Sequence, residues 1–236
     1  SEMCIRDRQR TVIIRLQYKD DSMGRLYLIR HGETEWNSQH RAQSYTDIPL
    51  SDVGRQQAHC TAKRLQNVDF DIAYSSDLSR AKDTAEIILG TRNIQVNTSK
   101  NLREYNKGVF EGLHRSEYSL RYPDQYQASL TKNLDFSPES GESVRQVHDR
   151  VSKFGIFITS QYPNEDILIA CHGGSLRALV VHLLSLSMET TWKLATSNCS
   201  LTIIYTYPNN NTLHLYNDTS HLTGIERQRE DNLSLK

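Results

Sequence analysis

Residues 26–37 read Leu26-Tyr-Leu-Ile-Arg-His-Gly-Glu-Thr-Glu-Trp-Asn37. Arg25 to Ile29 has the composition of a buried strand, and a guanidinium, an imidazole and a glycine follow at its end. Polar groups taken out of water cost free energy unless something partners them. Arg30 and His31 therefore either cap a strand or carry chemistry, and the rest of the chain decides between the two.

Similar apolar runs recur at Phe70–Tyr74, Ile94–Asn97, Asp166–Ala170, Ser200–Tyr207 and Thr212–Tyr216. Helical spacing lies between most of them. Ala58, Ala62 and Leu65 keep one face, as do Ala81, Ala85 and Ile88. Val144, Val147, Val151, Phe154 and Ile158 form a stripe over four turns, and Leu176, Leu179, Val180, Leu183 and Leu184 form another. Strands alternating with helices predict an α/β fold: three layers, α/β/α, around a mostly parallel central sheet. The last two strands, joined around Pro208-Asn-Asn-Asn211, predict an antiparallel hairpin. Between Glu111 and Gly141 the pattern is least regular, with Tyr118, Tyr122 and Tyr126 four apart, as in a helical flap or a packed surface helix.

The unusual polar residues fall where the strands end. Arg30 and His31 follow the first strand, Arg80 the second, Glu104 the third and His172 the fourth. In an open parallel sheet, ligands bind outside the carboxyl ends of the strands, so these segments are expected to converge on one crevice. Arg80 and His172 each stand where a helix begins, which would add backbone N–H groups to it. Two arginines, two histidines and one carboxylic acid make an anion site, and the planar arginine forks suit phosphate. Taken singly, each residue has an ordinary structural reading; five placements at strand ends do not.

The segments RHGETEWN, SSDLSRAKDTA, LREYNKGVFEG, GESVRQVHDR and CHGGSLRAL, in that order, resemble the histidine phosphatase superfamily, whose fold is phosphoglycerate-mutase-like. The resemblance runs from Met23 to about Leu222. It implies that His31 is a nucleophile that forms a phosphohistidine, and that Arg30, Arg80 and His172 clamp the phosphate. It implies that Glu104 is the general acid, then the base for the hydrolytic water. Asn37 and Gly173 match positions near the phosphate, and no metal or other cofactor is implied. On this reading Gly32 lets the backbone turn close to the ligand.

Two departures stand out. The family usually has Gln-Gly where this chain has Gln43-Ser44, so Ser44 either distorts that loop or adds a hydroxyl donor to the substrate. Lys107 stands where an aromatic or apolar residue is usual, and either binds a second anionic group of the substrate or is a solvated loop lysine. The family's bisphosphate-dependent mutases carry an Arg-Arg pair and a proline run after the acid. Here Glu111 to Gly141 holds only the isolated Arg115 and Arg121, with Pro123 and Pro138 far apart. That favours a phosphatase resembling broad-specificity and α-ribazole phosphatases, acting on a small phosphorylated metabolite. A bisphosphoglycerate-dependent mutase and a non-catalytic phospho-ligand module are the alternatives.

Bulk properties agree with a globular domain. The 236 residues carry 28 basic and 28 acidic side chains, which gives no reason to expect nucleic acid or an anionic membrane as partner. Cys4, Cys60, Cys171 and Cys199 show no metal or redox spacing, so reduced thiols and a cytoplasmic location are expected. Cys171 reads as a small buried strand residue and His221 as structural. A homodimer is compatible with the resemblance. Residues 1–22 begin SEMCIRDR, which resembles the translated end of a transposase-type sequencing adapter, and are expected to be a non-native or disordered leader. The phosphatase domain is expected over residues 23–222 and a polar mobile tail over 223–236.

Overall fold

A computed structural model describes residues 23–225; the expectations for the leader, and for the tail beyond Ile225, lie outside them. The chain order is β1 (Gly24–Arg30), α1 (Glu35–Ser38), α2 (Asp52–Arg64), β2 (Ile72–Ser75), α3 (Ser79–Leu89), β3 (Val96–Thr98), α4 (Arg115–Arg121), α5 (Pro123–Leu130), α6 (Val144–Gln161), β4 (Asp166–Cys171), α7 (Gly173–Leu183), β5 (Leu201–Tyr207) and β6 (Asn210–Asp218). The sheet order is β3-β2-β4-β1-β5-β6. The first four strands run parallel, and β5 and β6 extend the sheet as the expected antiparallel hairpin.

Alternation along β1 explains the layers. Leu26 and Leu28 face one side and join Val147, Val151, Phe154 and Ile158 of α6 and Leu176 and Leu179 of α7 in one core. Tyr27 and Ile29 face the other side and join Leu65, Ala85 and Ile88. Successive side chains on a strand point to opposite faces, so one apolar run supplies both cores. Only a sheet covered on both faces buries β1 and β4 this completely. Asp166, the polar start of β4, is held by the Arg25 guanidinium, with Arg25 Nε donating to Asp166 Oδ1 at 2.6 Å.

Register positions the site. Arg30 pairs with Cys171 and Ser75 with Ala170, so β1, β4 and β2 end level with one another. The His31 amide continues the ladder one step, donating to Cys171 O at 2.9 Å. The next residue after each of β1 and β4 is a histidine.

The flap differs from a single helix. Tyr122 ends α4 with φ −138° and ψ 60°, and Pro123 opens α5. A residue before proline is disfavoured in helical geometry and proline is tolerated at a first helical position, so the spacing of four is split into two short helices. They are packed down by Tyr118, whose ring stacks on Phe110 with centroids 4.4 Å apart, and Tyr126 meets Tyr118 edge-on. β2 and β3 begin two residues later than the apolar runs suggest. Among the described residues no helix is long and apolar enough to cross a membrane.

Candidate active site

His31 is 2% exposed, and its Nδ1 lies 2.7 Å from Gly32 O. A carbonyl only accepts, so Nδ1 carries the proton and Nε2 presents a lone pair. Burial, then the charges of Arg80 and Arg30, holds the imidazole well below its usual pKa and therefore neutral. Its own carbonyl accepts from Asn198 Nδ2 at 2.9 Å.

The second histidine has the opposite tautomer. His172 is the N-cap of α7, fully buried, with its ring centroid 5.1 Å from that of His31. Arg80 Nε donates to His172 Nδ1 at 3.2 Å. A guanidinium has no acceptor, so His172 Nδ1 accepts and Nε2 bears the hydrogen. That Nε2 is buried without a hydrogen-bond partner among the described residues. Burial and the Arg80 charge keep this ring neutral too. The pair thus offers one lone pair and one N–H.

Arg80 is itself fully buried in the first turn of α3. Its Nη1 donates to Thr46 O at 3.0 Å and its Nη2 to Ser44 O at 2.7 Å. Burial pushes it down to about 10, which leaves it charged at neutral pH. Arg30 Nη1 donates to Thr196 O at 2.7 Å. Gly173 begins α7 beside it; a Cβ there would lie 3.6 Å from Arg30 Nε.

Glu104 reaches the same end of α7. Its Oε1 accepts from Gly174 N at 2.8 Å and from Tyr105 N at 2.7 Å. Gly174 is required for this approach, because a Cβ there would lie 2.3 Å from Oε1. Behind the acid, Arg150 Nη1 donates to Asn101 O at 2.9 Å and Arg103 O at 2.8 Å, and Nη2 to Glu104 O at 2.8 Å. The same guanidinium is gripped at both oxygens by Glu142, at 2.8 and 2.9 Å.

The remaining expected residues divide. Asn37 Oδ1 accepts from Thr34 N at 3.1 Å and Asn198 Nδ2 lies 3.4 Å from it, so the amide is anchored by its oxygen within the short capped turn of α1. Gln43 Nε2 is buried without a hydrogen-bond partner among the described residues. The Ser44 hydroxyl is engaged within the protein. That group receives Lys107 N at 3.0 Å and lies 3.2 Å from Tyr105 O, fastening the acid loop to the loop that holds Arg80. Lys107 is half-buried: its Nζ sits 4.1 Å above the Tyr105 ring, and burial pushes it down to about 8. Gly32 has a different cause from a turn toward the ligand. A Cβ there would lie 2.4 Å from Gly54 O, so it is the close packing of α2 that demands glycine.

A profile of the histidine phosphatase superfamily (branch 1) matches residues 26–219. The chain belongs to that superfamily. Among its relatives is a metal-independent phosphoserine phosphatase of Arabidopsis thaliana, 33% identical over 85% of this chain and 84% of its own length. A 2,3-bisphosphoglycerate-dependent phosphoglycerate mutase of Bartonella tribocorum is 34% identical over 81% of this chain and 96% of the other. Of solved structures, the alpha-ribazole phosphatase of Shigella flexneri superposes with a TM-score of 0.78 at 29% identity, over 86% of this chain and 100% of that one.

In this histidine phosphatase superfamily member the structure adds residues that the sequence reading passed over. Arg150 and Gly174 lie inside quoted motifs but carry no recognisable signal of their own, because their work is on backbone atoms distant in sequence. Thr84 accepts from Gly32 N at 3.0 Å, and Asn198 sits in a loop before β5 with no pattern to mark it. Cys171 is fully buried, its thiol pushed up to about 12 by burial, and His221 Nε2 sits 3.1 Å from both Thr61 Oγ1 and Cys199 O.

Proposed function

We propose that this superfamily member is a metal-independent phosphomonoesterase that hydrolyses a small phosphorylated metabolite through a phosphohistidine. The observation that carries the reading is the opposed tautomers of His31 and His172. His31 Nε2 attacks phosphorus in line with the leaving oxygen. Arg30, Arg80, His172 Nε2–H and the first-turn amide of α7 hold the phosphoryl oxygens, where fixed donors stabilise the spreading charge of the transition state. Glu104 protonates the departing alkoxide, then takes a proton from the water that attacks the phosphohistidine, and the His31–P bond breaks to release inorganic phosphate. Positive charge from two arginines supplies what a metal ion supplies in other phosphoryl-transfer enzymes. Asn37 and Gln43 flank the phosphate, and Lys107 takes an anionic group on the leaving side.

Relatives named for phosphoserine and alpha-ribazole support a phosphomonoester of a small metabolite, and the mutase relatives keep phosphoryl return as the competing outcome. Hydrolysis is favoured by the flap. Its Arg121 is exposed and pairs with Glu117 at 3.0 Å, so the flap does not present the adjacent arginine pair of the mutases. The test is phosphate release in EDTA from phosphoserine, 3-phosphoglycerate, α-ribazole phosphate and p-nitrophenyl phosphate, by the full chain and by His31→Ala. Release that survives EDTA and is lost in His31→Ala supports the reading. Isomerisation of 3-phosphoglycerate primed by 2,3-bisphosphoglycerate, faster than any release, would replace it with the mutase.

A further inference from the structure

The lone pair on His31 Nε2 exists only while Nδ1 holds the proton, and Gly32 O is the acceptor that keeps it there. That carbonyl belongs to the peptide joining Gly32 to Glu33. Glycine has no Cβ to restrict its backbone, so the direction of this peptide has to be set from outside. The restraint is at its other end, where Glu33 N donates to Gln57 Oε1 at 2.9 Å. A trans peptide is planar, and its N–H and C=O point in opposite directions. With the Glu33 N–H turned to Gln57, Gly32 O is turned to the His31 ring.

Helix α2 is built for this contact. Ser51, its N-cap, and Gly54 and Gln57 stand three apart and share one face. Ser51 N donates to Glu33 O at 2.9 Å. A Cβ on Gly54 would lie 2.7 Å from Glu33 N, so the two backbones are in contact. The Gln57 side chain, on the next turn, reaches the amide that remains. Gln57 is 3% exposed, an unusual place for a residue type that is mostly found at the surface. The preceding peptide, His31 to Gly32, has restraints of its own. Asn198 Nδ2 donates to His31 O at 2.9 Å, and Gly32 N donates to Thr84 Oγ1 at 3.0 Å. These act on a different carbonyl and leave the direction of Gly32 O to Gln57.

We propose that Gln57 is a positioning residue for the nucleophile: through the Gly32–Glu33 peptide it fixes the Nδ1–H tautomer of His31 and so keeps the Nε2 lone pair available for attack. The tautomer claim stands on the hydrogen bonds alone, and its kinetic consequence rests on the phosphomonoesterase reading. Without the Gln57 acceptor, the Glu33 N–H is a buried donor in need of another partner. The peptide turns to find one, and His31 Nδ1 loses Gly32 O. Nε2 then carries the hydrogen in a share of the molecules, and those molecules cannot attack phosphorus.

The test reads the tautomer directly. The full chain labelled with ¹⁵N-histidine is studied by long-range ¹H–¹⁵N NMR at neutral pH, with the two site histidines assigned through His31→Asn and His172→Asn. The parent is expected to show Nδ1–H on His31 and Nε2–H on His172. In Gln57→Met, which keeps the length of the side chain, and in Gln57→Ala, His31 is expected to shift toward Nε2–H. His172 is expected to stay Nε2–H in both, because Arg80 sets it independently. Gln57→Glu retains an acceptor oxygen and is expected to retain the parent tautomer. Thr84→Val, a buried loss on the neighbouring peptide, is expected to retain it too. In kinetics, kcat/KM reports the step that forms the phosphohistidine. Gln57→Met is expected to lower it about 10²-fold, by the same factor for p-nitrophenyl phosphate and for an alkyl phosphate, and Gln57→Glu to restore most of the loss. A His31 that stays Nδ1–H in both Gln57→Met and Gln57→Ala overturns the proposal. So does a tautomer change in Thr84→Val equal to that in Gln57→Met, or a change in both histidines together. The expected tautomer change with phosphate release unaltered would uphold the role of Gln57 at the ring and overturn His31 as the nucleophile instead.

Discussion

Arg80 Nε donates to His172 Nδ1 at 3.2 Å, and this one bond sets which nitrogen of His172 carries its hydrogen. It forces the proton onto Nε2; in the proposed reaction that N–H donates to phosphoryl oxygen while the neighbouring His31 offers a lone pair. Arg80 does this only because Ser44 O and Thr46 O hold the rest of its fork. Arg80→Lys keeps a cation but cannot donate to three acceptors in one plane. The expected result is a fall in kcat of roughly 10²–10³-fold, with Arg80→Lys little better than Arg80→Met. Activity of Arg80→Lys within a few fold of the parent would show that charge alone suffices.

Arg150 spends its guanidinium on protein groups. It holds the carbonyls of Asn101, Arg103 and Glu104, and its own geometry is fixed by Glu142. In the proposed reaction it is a positioning residue for Glu104, the general acid. Arg150→Met should lose about 1–3 kcal/mol of stability through the orphaned Glu142 and carbonyls. Its kinetic signature is specific. Esters with poor alkoxide leaving groups need the acid and should lose about 10²-fold in kcat, whereas p-nitrophenyl phosphate, which leaves unaided, should lose little. An equal loss on both substrate kinds would mean a general structural effect.

Lys107 should make anion selection pH-dependent. Burial pushes it down to about 8, with Glu104 opposing and Arg177 reinforcing that shift. Arg115, Lys132 and His148 line the same recess as Lys107, and His148 is held neutral by burial. Lys107 is therefore charged below about pH 8 and loses its charge as pH rises through that value. The preference for carboxylated over uncharged substrates should decline over pH 7–9 in the parent. It should persist to higher pH in Lys107→Arg and be low and flat in Lys107→Met. A parent preference constant to pH 10 would remove Lys107 from the anion site.

The two site histidines also predict acid sensitivity. Both have folded-state pKa values well below 6.5. Below about pH 6.5 the unfolded chain binds protons that the folded chain refuses, so stability falls as pH drops through that range. Each histidine contributes a slope of up to about 1.4 kcal/mol per pH unit until its folded pKa is reached. His148 and His182, also lowered, act in the same direction. Urea unfolding between pH 7 and 5 should show the fall, and His31→Asn and His172→Asn should each reduce its slope. Slopes that match the parent in both variants would contradict it.

Much of this was legible in the residues. The alternation in Leu26–Ile29 and the stripe from Val147 to Ile158 encode the layers directly, because burial periodicity is a local property of the chain. The placement of His31, Arg80, Glu104 and His172 after successive strands is likewise a pattern along the sequence, and the level strand ends make them meet. The parts that stayed hidden depend on contacts between segments. Ser44 looks like a possible donor to substrate until its hydroxyl is found between Tyr105 O and Lys107 N. Gly32 looks like a turn residue until Gly54 is found against it. The break at Tyr122 was written in Pro123, but the tyrosine spacing of four masked it.

The most direct test of the central claim is to trap the covalent intermediate. The full chain is mixed with a ³²P-labelled phosphomonoester that it turns over, quenched in alkali and digested. The account predicts one alkali-stable, acid-labile label, on the peptide containing His31, absent from His31→Ala. Phosphate release with no labelled enzyme, or a label that persists in His31→Ala, would contradict it.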